Sequence, residues 1–397
     1  MASPTNLSRR HFLSGSALAV APIALSGIGA GRALAQGAKP QAKGKIIRRK
    51  LGRTGIEVPI VSMGVMNADN PAVVQQSYEI GVRLFDTAMG YQAGRNEEMI
   101  GTVIKNLGVR KNVIIQTKIR VPRIGPNTPD DEVGARLRAD FDGCLKRLQS
   151  DYVDILLLHG PSVAEMNHPG VRKALAEAKS SRRARFVGVS THAAQADILN
   201  DAAKTGFYDT VTVSINFTQA EDTALLDAIR KAAAADVGLI AMKTQASGRR
   251  GGPPAPPVNH TAALKWVLRH EEITTAIPGY TNFAHMTEDF SVSYGLEYTA
   301  EERKFLAEKN LKAEMAYCQQ CSRCVPTCPL GVDIPTLMRT HMYAARYGNF
   351  LHARATLDEI EESRRLALCG DCSECLARCS NHVRIAANIR DLKSMYL

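Results

Sequence analysis

No acidic residue occurs among the first 50 positions, although nine basic residues do. That imbalance accounts for most of the formal charge of +11, because it leaves 41 basic against 39 acidic residues over positions 51–397. The bulk of the chain is therefore nearly neutral, and charge gives no reason to expect a nucleic-acid partner. There is no series of long apolar runs, which excludes a multi-span membrane protein. Hydrophobic residues are not scarce either: 45% hydrophobic against 22% charged excludes a wholly disordered chain. No glycine-rich dinucleotide turn follows the first strand-like run, and no flavin motif is present. A length of 397 residues suggests two domains, or one barrel of about 250 residues with an appendage.

The acid-free N-terminus reads as an address. Residues 8–13 are Ser-Arg-Arg-His-Phe-Leu, followed by an uncharged run, rich in Gly, Ala and Ser, that reaches Gly31. Ala33-Leu34-Ala35 then offers a small-x-small cleavage site. Phe12–Gly31 is about long enough to span a bilayer, so a membrane anchor is the alternative, but Gly, Ser and Pro22 dilute the run. Arg9-Arg10 directly before Phe-Leu resembles the twin-arginine export signal. On that resemblance, residues 1–35 are a leader and 36–45 a linker. The protein would be recognised by the twin-arginine export machinery and sent to the periplasm, anchored there if the leader is retained. That pathway carries chains already folded, often around a metal cofactor, so a cofactor is expected.

Eight of nine cysteines fall in two identical combs. Cys318, Cys321, Cys324 and Cys328 form C-x2-C-x2-C-x3-C, and Cys369, Cys372, Cys375 and Cys379 repeat it 51 positions later. The echo continues in Val332 and Ile334 against Val383 and Ile385, so the segment is an internal duplication. Disulfides and zinc are the competing readings. Disulfide frameworks rarely repeat such a comb, and zinc sites usually pair two C-x-x-C knuckles. The comb instead lets three thiolates converge on one cluster face, which points to two 4Fe-4S clusters. In two-cluster ferredoxins the fourth cysteine of each run serves the other cluster. That pattern predicts Cys318, Cys321, Cys324 and Cys379 on one cluster, and Cys369, Cys372, Cys375 and Cys328 on the other. The ninth, Cys144, shares a helix-like face with Leu137, Phe141, Leu145 and Leu148 and is expected to be a buried small hydrophobe.

Ahead of the combs, short apolar runs alternate with helix-like stretches. They are Pro59–Gly64, Arg83–Asp86, Val113–Lys118, Tyr152–His159, Arg185–Ser190, Thr210–Asn216, Gly238–Lys243 and Thr274–Pro278. Eight repeats in about 250 residues fit a parallel (β/α)8 barrel better than a doubly wound sheet. Gly52–Gly55 is expected to turn a small hairpin that closes the barrel floor. Arg249–Pro257, rich in Gly, Pro and Arg, reads as a long loop over the mouth.

Barrel chemistry sits at the C-terminal ends of strands. Strand two ends at Asp86 with Tyr91 shortly after, strand three ends at Lys118 and strand four at His159. These suit hydride transfer to a carbonyl. Tyr91 is the natural proton donor, but a phenol of pKa about 10 is weak at neutral pH. Lys118 is expected to lower that pKa, Asp86 to hold Lys118, and His159 to polarise the carbonyl oxygen.

The runs GVRLFDTAMGYQAGRNEEMIG (residues 81–101), TKI, LLLHGP and FVGVSTH resemble the aldo-keto reductases, over residues 46–297. The whole chain resembles the subgroup with a C-terminal ferredoxin-like domain, here 298–397. The resemblance implies a TIM barrel followed by a mainly α-helical two-cluster domain. It assigns the catalytic tetrad to Asp86, Tyr91, Lys118 and His159. It also places Ser190 and Asn216 beneath a nicotinamide carboxamide, with nucleotide contacts at Met242, Lys243, Pro278, Gly279, Asn282 and Asp289. His285 stands near the position where the family often has an arginine for the 2′-phosphate of NADP, so the choice between NAD and NADP stays open unless Arg249 and Arg250 reach across. Pro329 follows the fourth cysteine of the first comb, whereas Ser380 follows that of the second. The implied function is an exported oxidoreductase acting on a small carbonyl or alcohol substrate, with a one-electron redox partner for the clusters. The alternatives are an electron-transfer protein whose barrel is a scaffold with vestigial catalysis, or clusters that merely staple the C-terminal lobe. A nicotinamide moves two electrons as a hydride and a cluster moves one.

Overall fold

The protein is described from a computed structural model over residues 44–122, 128–246, 258–308, 318–370 and 374–397. The expected leader, most of the expected linker, Arg249, Arg250 and the loop expected around them, and Cys372 lie outside the described residues.

The chain opens with an antiparallel hairpin, β1 (Arg48–Lys50) and β2 (Glu57–Pro59), in the register Arg48 to Pro59 and Lys50 to Glu57. Its turn is a 3-10 segment, Gly52–Thr54, ended by Gly55 at φ 70°. Gly52 must be glycine: its φ is +44°, and a Cβ there would fall 2.4 Å from the Gly238 nitrogen. The hairpin thus presses Leu51 into the barrel. Leu51, Ile56 and Val58 are buried among Leu84, Ile155 and Ile240 inside the strands. Arg49 fastens it by donating to the carbonyls of Leu268 (2.7 Å) and Ile273 (2.5 Å). The expected floor hairpin is there.

Eight parallel strands follow in sequential order: β3 (Met63–Gly64), β4 (Leu84–Asp86), β5 (Ile114–Ile119), β6 (Val153–His159), β7 (Ala184–Thr191), β8 (Thr210–Ser214), β9 (Gly238–Met242) and β10 (Thr275–Ala276). A parallel bridge between Val61 and Ala276 closes the ring, with Ser62 N donating to Ala276 O at 2.8 Å. Each of the eight expected runs overlaps a barrel strand, and β5 and β7 run about one residue beyond theirs. The first is shorter than expected because Pro59 belongs to the floor hairpin, leaving only Met63–Gly64 for the ladder.

The outer helices bury apolar stripes at three- and four-residue spacing, such as Ile100, Val103 and Ile104 in Arg95–Leu107. Asparagine or aspartate caps start several of them: Asn70, Asp222, Asn259 and Asn282 each accept from a first-turn amide. Helix Asp130–Leu148 has three acids in its first turn and Lys146 and Arg147 in its last, matching the helix dipole. Its buried face contains Cys144, whose thiol is pushed up by burial first and then by Glu97. Helix Ala300–Ala307 packs back on barrel helix His260–Leu268 through a Lys265–Glu302 ion pair at 2.8 Å.

Beyond it the chain is helical: Ile334–His341, a π turn Met342–Arg346, Phe350–Leu357 and Ile385–Tyr396. The duplication is structural. Helices Ile334–His341 and Ile385–Tyr396 start 51 residues apart, and Val332, Ile334, Val383 and Ile385 share one core. Arg378 N donates to Thr327 Oγ1 at 3.0 Å, so a residue meets its own counterpart 51 positions away. Such a self-contact is expected near the axis relating two similar halves. Among the described residues, no helix is long and apolar enough to cross a membrane.

Candidate active site

Three successive strands deliver the barrel's polar residues to one rim. In β5 the side chains alternate: Gln116 and Lys118 face the barrel interior while Thr117 turns outward to Glu97, at 2.5 Å. Gln116 pairs in register with Asp86 of β4 and donates to its carboxylate at 2.6 Å. Lys118, fully buried, donates to Asp86 Oδ2 (2.7 Å), Thr87 O (2.8 Å) and Tyr91 Oη (3.3 Å). An ammonium has three donors, and each is used. Because Tyr91 Oη accepts from Lys118, its own proton points elsewhere. Tyr91 and Asp86 line a cavity of about 1670 Å³ that opens at the rim.

The direction of the Tyr91 shift is opposite to the sequence expectation. Its phenol is pushed well above the ordinary value, by burial first and then by Asp86, with Arg120 opposing. Asp86 neutralises the lysine that was expected to lower it, and burial penalises the phenolate further. Lys118 is itself lowered by burial, although Asp86 opposes the shift. Tyr91 is therefore a protonated donor at rest. His159 stands edge-on to Tyr91, with ring centroids 5.9 Å apart, and is held far below its ordinary value by burial and then Lys118. It is a neutral imidazole, and its buried Nδ1 has no partner among the described residues.

The residues assigned to a nucleotide divide. Met242, Lys243, Pro278 and Gly279 line the cavity. Ser190 is fully buried with an unpartnered Oγ, which suits a ligand amide. Asn216 Oδ1 already accepts from Thr218 N and Oγ1, and its amide donates to Lys243 O at 3.4 Å. Asn282 caps helix Phe283–Ser291, and Asp289 is buried and accepts from Gln245 at 2.6 Å, so both shape the site locally. Lys243 has φ +57°, and its ammonium lies 4.8 Å from the rings of both Tyr343 and Tyr347. Burial, then Arg339 and Lys118, lower it to about 7.

Those two tyrosines belong to the segment between the cysteine combs. That segment sits on the barrel mouth: Asn349 donates to Asn67 at 2.9 Å, and Glu359 binds both Arg120 (2.5 Å) and Arg339 (2.7 Å). Sequence reasoning missed Gln116, His192 on the cavity wall, Tyr343 and His352. Gln116 alone had a signal, lying two residues before Lys118 on the same strand face.

Among the cysteines, Cys318 feels Cys324 and Cys379, and Cys324 feels Cys379 and Cys321. The fourth thiol of the second comb is thus near enough to the first comb to couple electrostatically with Cys318 and Cys324. Burial pushes Cys318 up to about 12 and Cys324 to about 11. Thiols so placed surrender their protons only to a strong cation, which a cluster iron provides. Gln320, Arg323 and the Asn381 amide donate to Cys318, Cys321 and Cys379 sulfurs at 3.1, 3.3 and 3.3 Å. Cys328, Cys369 and Cys375 border the same core.

Replacing Asp86 by asparagine leaves the Lys118 ammonium buried without a countercharge. Unfolding measurements should show a loss of about 3–5 kcal/mol, most of it recovered in the Asp86→Asn, Lys118→Met double variant. A single variant as stable as the parent would contradict the pairing.

Comparison with known proteins supports both halves. The model of the aldo/keto reductase family matches residues 63–252, and that of a 4Fe-4S dicluster domain matches residues 317–383. L-galactose dehydrogenase of Arabidopsis thaliana is 28% identical over 304 residues, covering 66% of this chain and 93% of that protein. Among solved structures, an aldo-keto reductase from Bacillus halodurans superposes with a TM-score of 0.54 at 20% identity, covering 66% of this chain and 95% of its own. One from Klebsiella pneumoniae, in complex with NADPH, gives 0.53 at 19% identity, covering 67% and 98%. These structures show the barrel fold. The chain is thus an oxidoreductase that joins an aldo/keto reductase domain to a C-terminal 4Fe-4S dicluster domain.

Proposed function

We propose that the barrel rim is a nicotinamide-dependent site that interconverts a small carbonyl compound and its alcohol, with Tyr91 as the proton donor and acceptor. The observation that carries this reading is the Lys118 ammonium, which donates to both Asp86 and Tyr91 Oη. Ser190 Oγ and the walls at Met242, Pro278 and Gly279 fit a nicotinamide nucleotide. The Klebsiella relative binds NADPH, and the Arabidopsis relative is named for oxidation of a sugar. When bound, the nucleotide supplies or accepts the hydride. His159, neutral and unpartnered at Nδ1, orients the carbonyl oxygen. Tyr91 gives its proton to that oxygen as negative charge develops there, and the Lys118 N–H that Tyr91 Oη already accepts remains as a hydrogen bond to the oxygen left behind. Gln116 fixes Asp86, and Asp86 fixes Lys118.

The eight comb cysteines hold two 4Fe-4S clusters in the crossed pattern. Cys379 joins Cys318, Cys321 and Cys324; Cys328 joins Cys369, Cys372 and Cys375. The coupling of Cys379 to Cys318 and Cys324 supports this. When bound, each cluster carries one electron to or from a redox partner. Export by the twin-arginine pathway to the periplasm completes the reading, resting on Arg9-Arg10-His11-Phe12-Leu13.

Tyr91→Phe keeps the ring and removes the proton. Carbonyl reduction should fall by about 10²–10⁴-fold, with nucleotide affinity unchanged in a fluorescence titration. Full activity in that variant would remove the mechanism. Lysines at both Arg9 and Arg10 should leave cluster-containing precursor in the cytoplasm on fractionation, and unimpaired export would sink the leader assignment.

A further inference from the structure

Two imidazoles, one from each domain, stand edge-on to the Tyr91 ring. His159 ends β6, with centroids 5.9 Å apart and planes at 85°. His352 comes from helix Phe350–Leu357 between the cysteine combs, at 5.4 Å and 83°. It is 3% exposed, and its Nδ1 has no partner among the described residues. A buried ring nitrogen left unpaired is unfavourable unless a ligand or water completes it.

The position of His352 is fixed from both sides. Three residues before it, Asn349 binds Asn67; seven residues after it, Glu359 binds Arg120 and Arg339. Tyr343 packs on its other side, with ring centroids 4.5 Å apart. Burial and then Lys243, Arg120, Arg339 and Lys118 lower it to about 3. At neutral pH it is therefore an uncharged donor or acceptor.

If the barrel reduces a carbonyl, that oxygen has two lone pairs, one taken by the Tyr91 proton and one by His159. The second imidazole is then left for another polar group, and its closeness to the same phenol puts that group beside the reacting carbon. We propose that His352 is a substrate-contacting, specificity-determining residue supplied to the barrel by the dicluster domain, and that it binds a hydroxyl adjacent to the reacting carbonyl. This inference rests on the carbonyl-reduction reading above. It means that the reductase site is incomplete without the dicluster domain seated on it.

The test uses the holoenzyme with clusters intact, NADPH or NADH, and two three-carbon probes, glyceraldehyde and propanal, with rates referred to the free aldehyde. The parent should favour glyceraldehyde in kcat/KM by about ten- to a hundredfold, because a site built for a hydroxyl disfavours the analogue lacking it. His352→Phe should remove that preference by slowing glyceraldehyde alone, leaving propanal within about threefold. His352→Asn, whose amide takes roughly the place of Nδ1, should retain most of it. Iron content and nucleotide affinity should not change in either variant. A parent with no preference, a parent inactive on glyceraldehyde, or a preference that survives in His352→Phe would each overturn the proposal. The parent's selectivity is decisive even if His352→Phe loses iron. Tyr91→Phe is assayed alongside: if it slows neither aldehyde, the carbonyl reading itself fails, whatever His352 does.

Discussion

A charged lysine enclosed inside a barrel needs a countercharge and an acceptor for every N–H, and the upper rim is organised around meeting that need at Lys118. Asp86, the Thr87 carbonyl and the Tyr91 hydroxyl use its three donors, and Gln116 and the β4–β5 register hold Asp86 in place. Removing any of these leaves a polar group stranded in a low-dielectric interior. The other end of the barrel contributes by exclusion. Leu51, driven upward by the floor hairpin, packs the interior with Ile155 and Ile240. The phenol of Tyr91 is consequently kept protonated beside a cation, which is the arrangement a proton donor to a developing alkoxide requires.

The dicluster domain is more than an appended wire. Its duplicated halves pack on one core, and the helical segment between them covers the barrel mouth. Glu359 anchors it by bridging a barrel arginine and one of its own. Tyr343 and Tyr347 face Lys243, and Cys318 and His192 line a common crevice, bringing the first comb to the end of β7. Tyr91 and the first comb therefore share one wall. That wall also stands over Tyr91, with His352 against its ring.

Much of this was legible in the sequence because it is local or periodic. Strand ends revealed Asp86, Lys118 and His159, since β periodicity fixes which residues stand at the rim. The 51-residue spacing revealed the duplication, down to the paired starts at Ile334 and Ile385. What escaped was long-range. His352 lies 261 positions from Tyr91, in a helix whose sequence carries no sign of the surface it covers. The Tyr91 shift runs opposite to the sequence expectation for a related reason. A lysine nearby lowers a phenol's pKa only if its charge is not already neutralised; the Asp86–Lys118 pairing is expected from the sequence, but not its cancelling of the lysine's pull, and the depth of burial, the larger cause, appears only in the folded chain. Asn282 and Asp289, expected at a nucleotide, also secure the loop and helix that form the cavity edge.

The central claim, that the barrel is a nicotinamide-dependent carbonyl site beneath a dicluster domain, is tested most directly by the small molecules the protein itself holds. Protein purified without oxygen can be denatured and the released compounds identified by mass spectrometry, with a parallel titration of the emptied protein against NADPH and NADH. The account predicts release or saturable binding of one of these nucleotides, with iron near eight atoms per chain from two four-iron clusters. Release of a flavin, or no binding of either nicotinamide nucleotide, would contradict it.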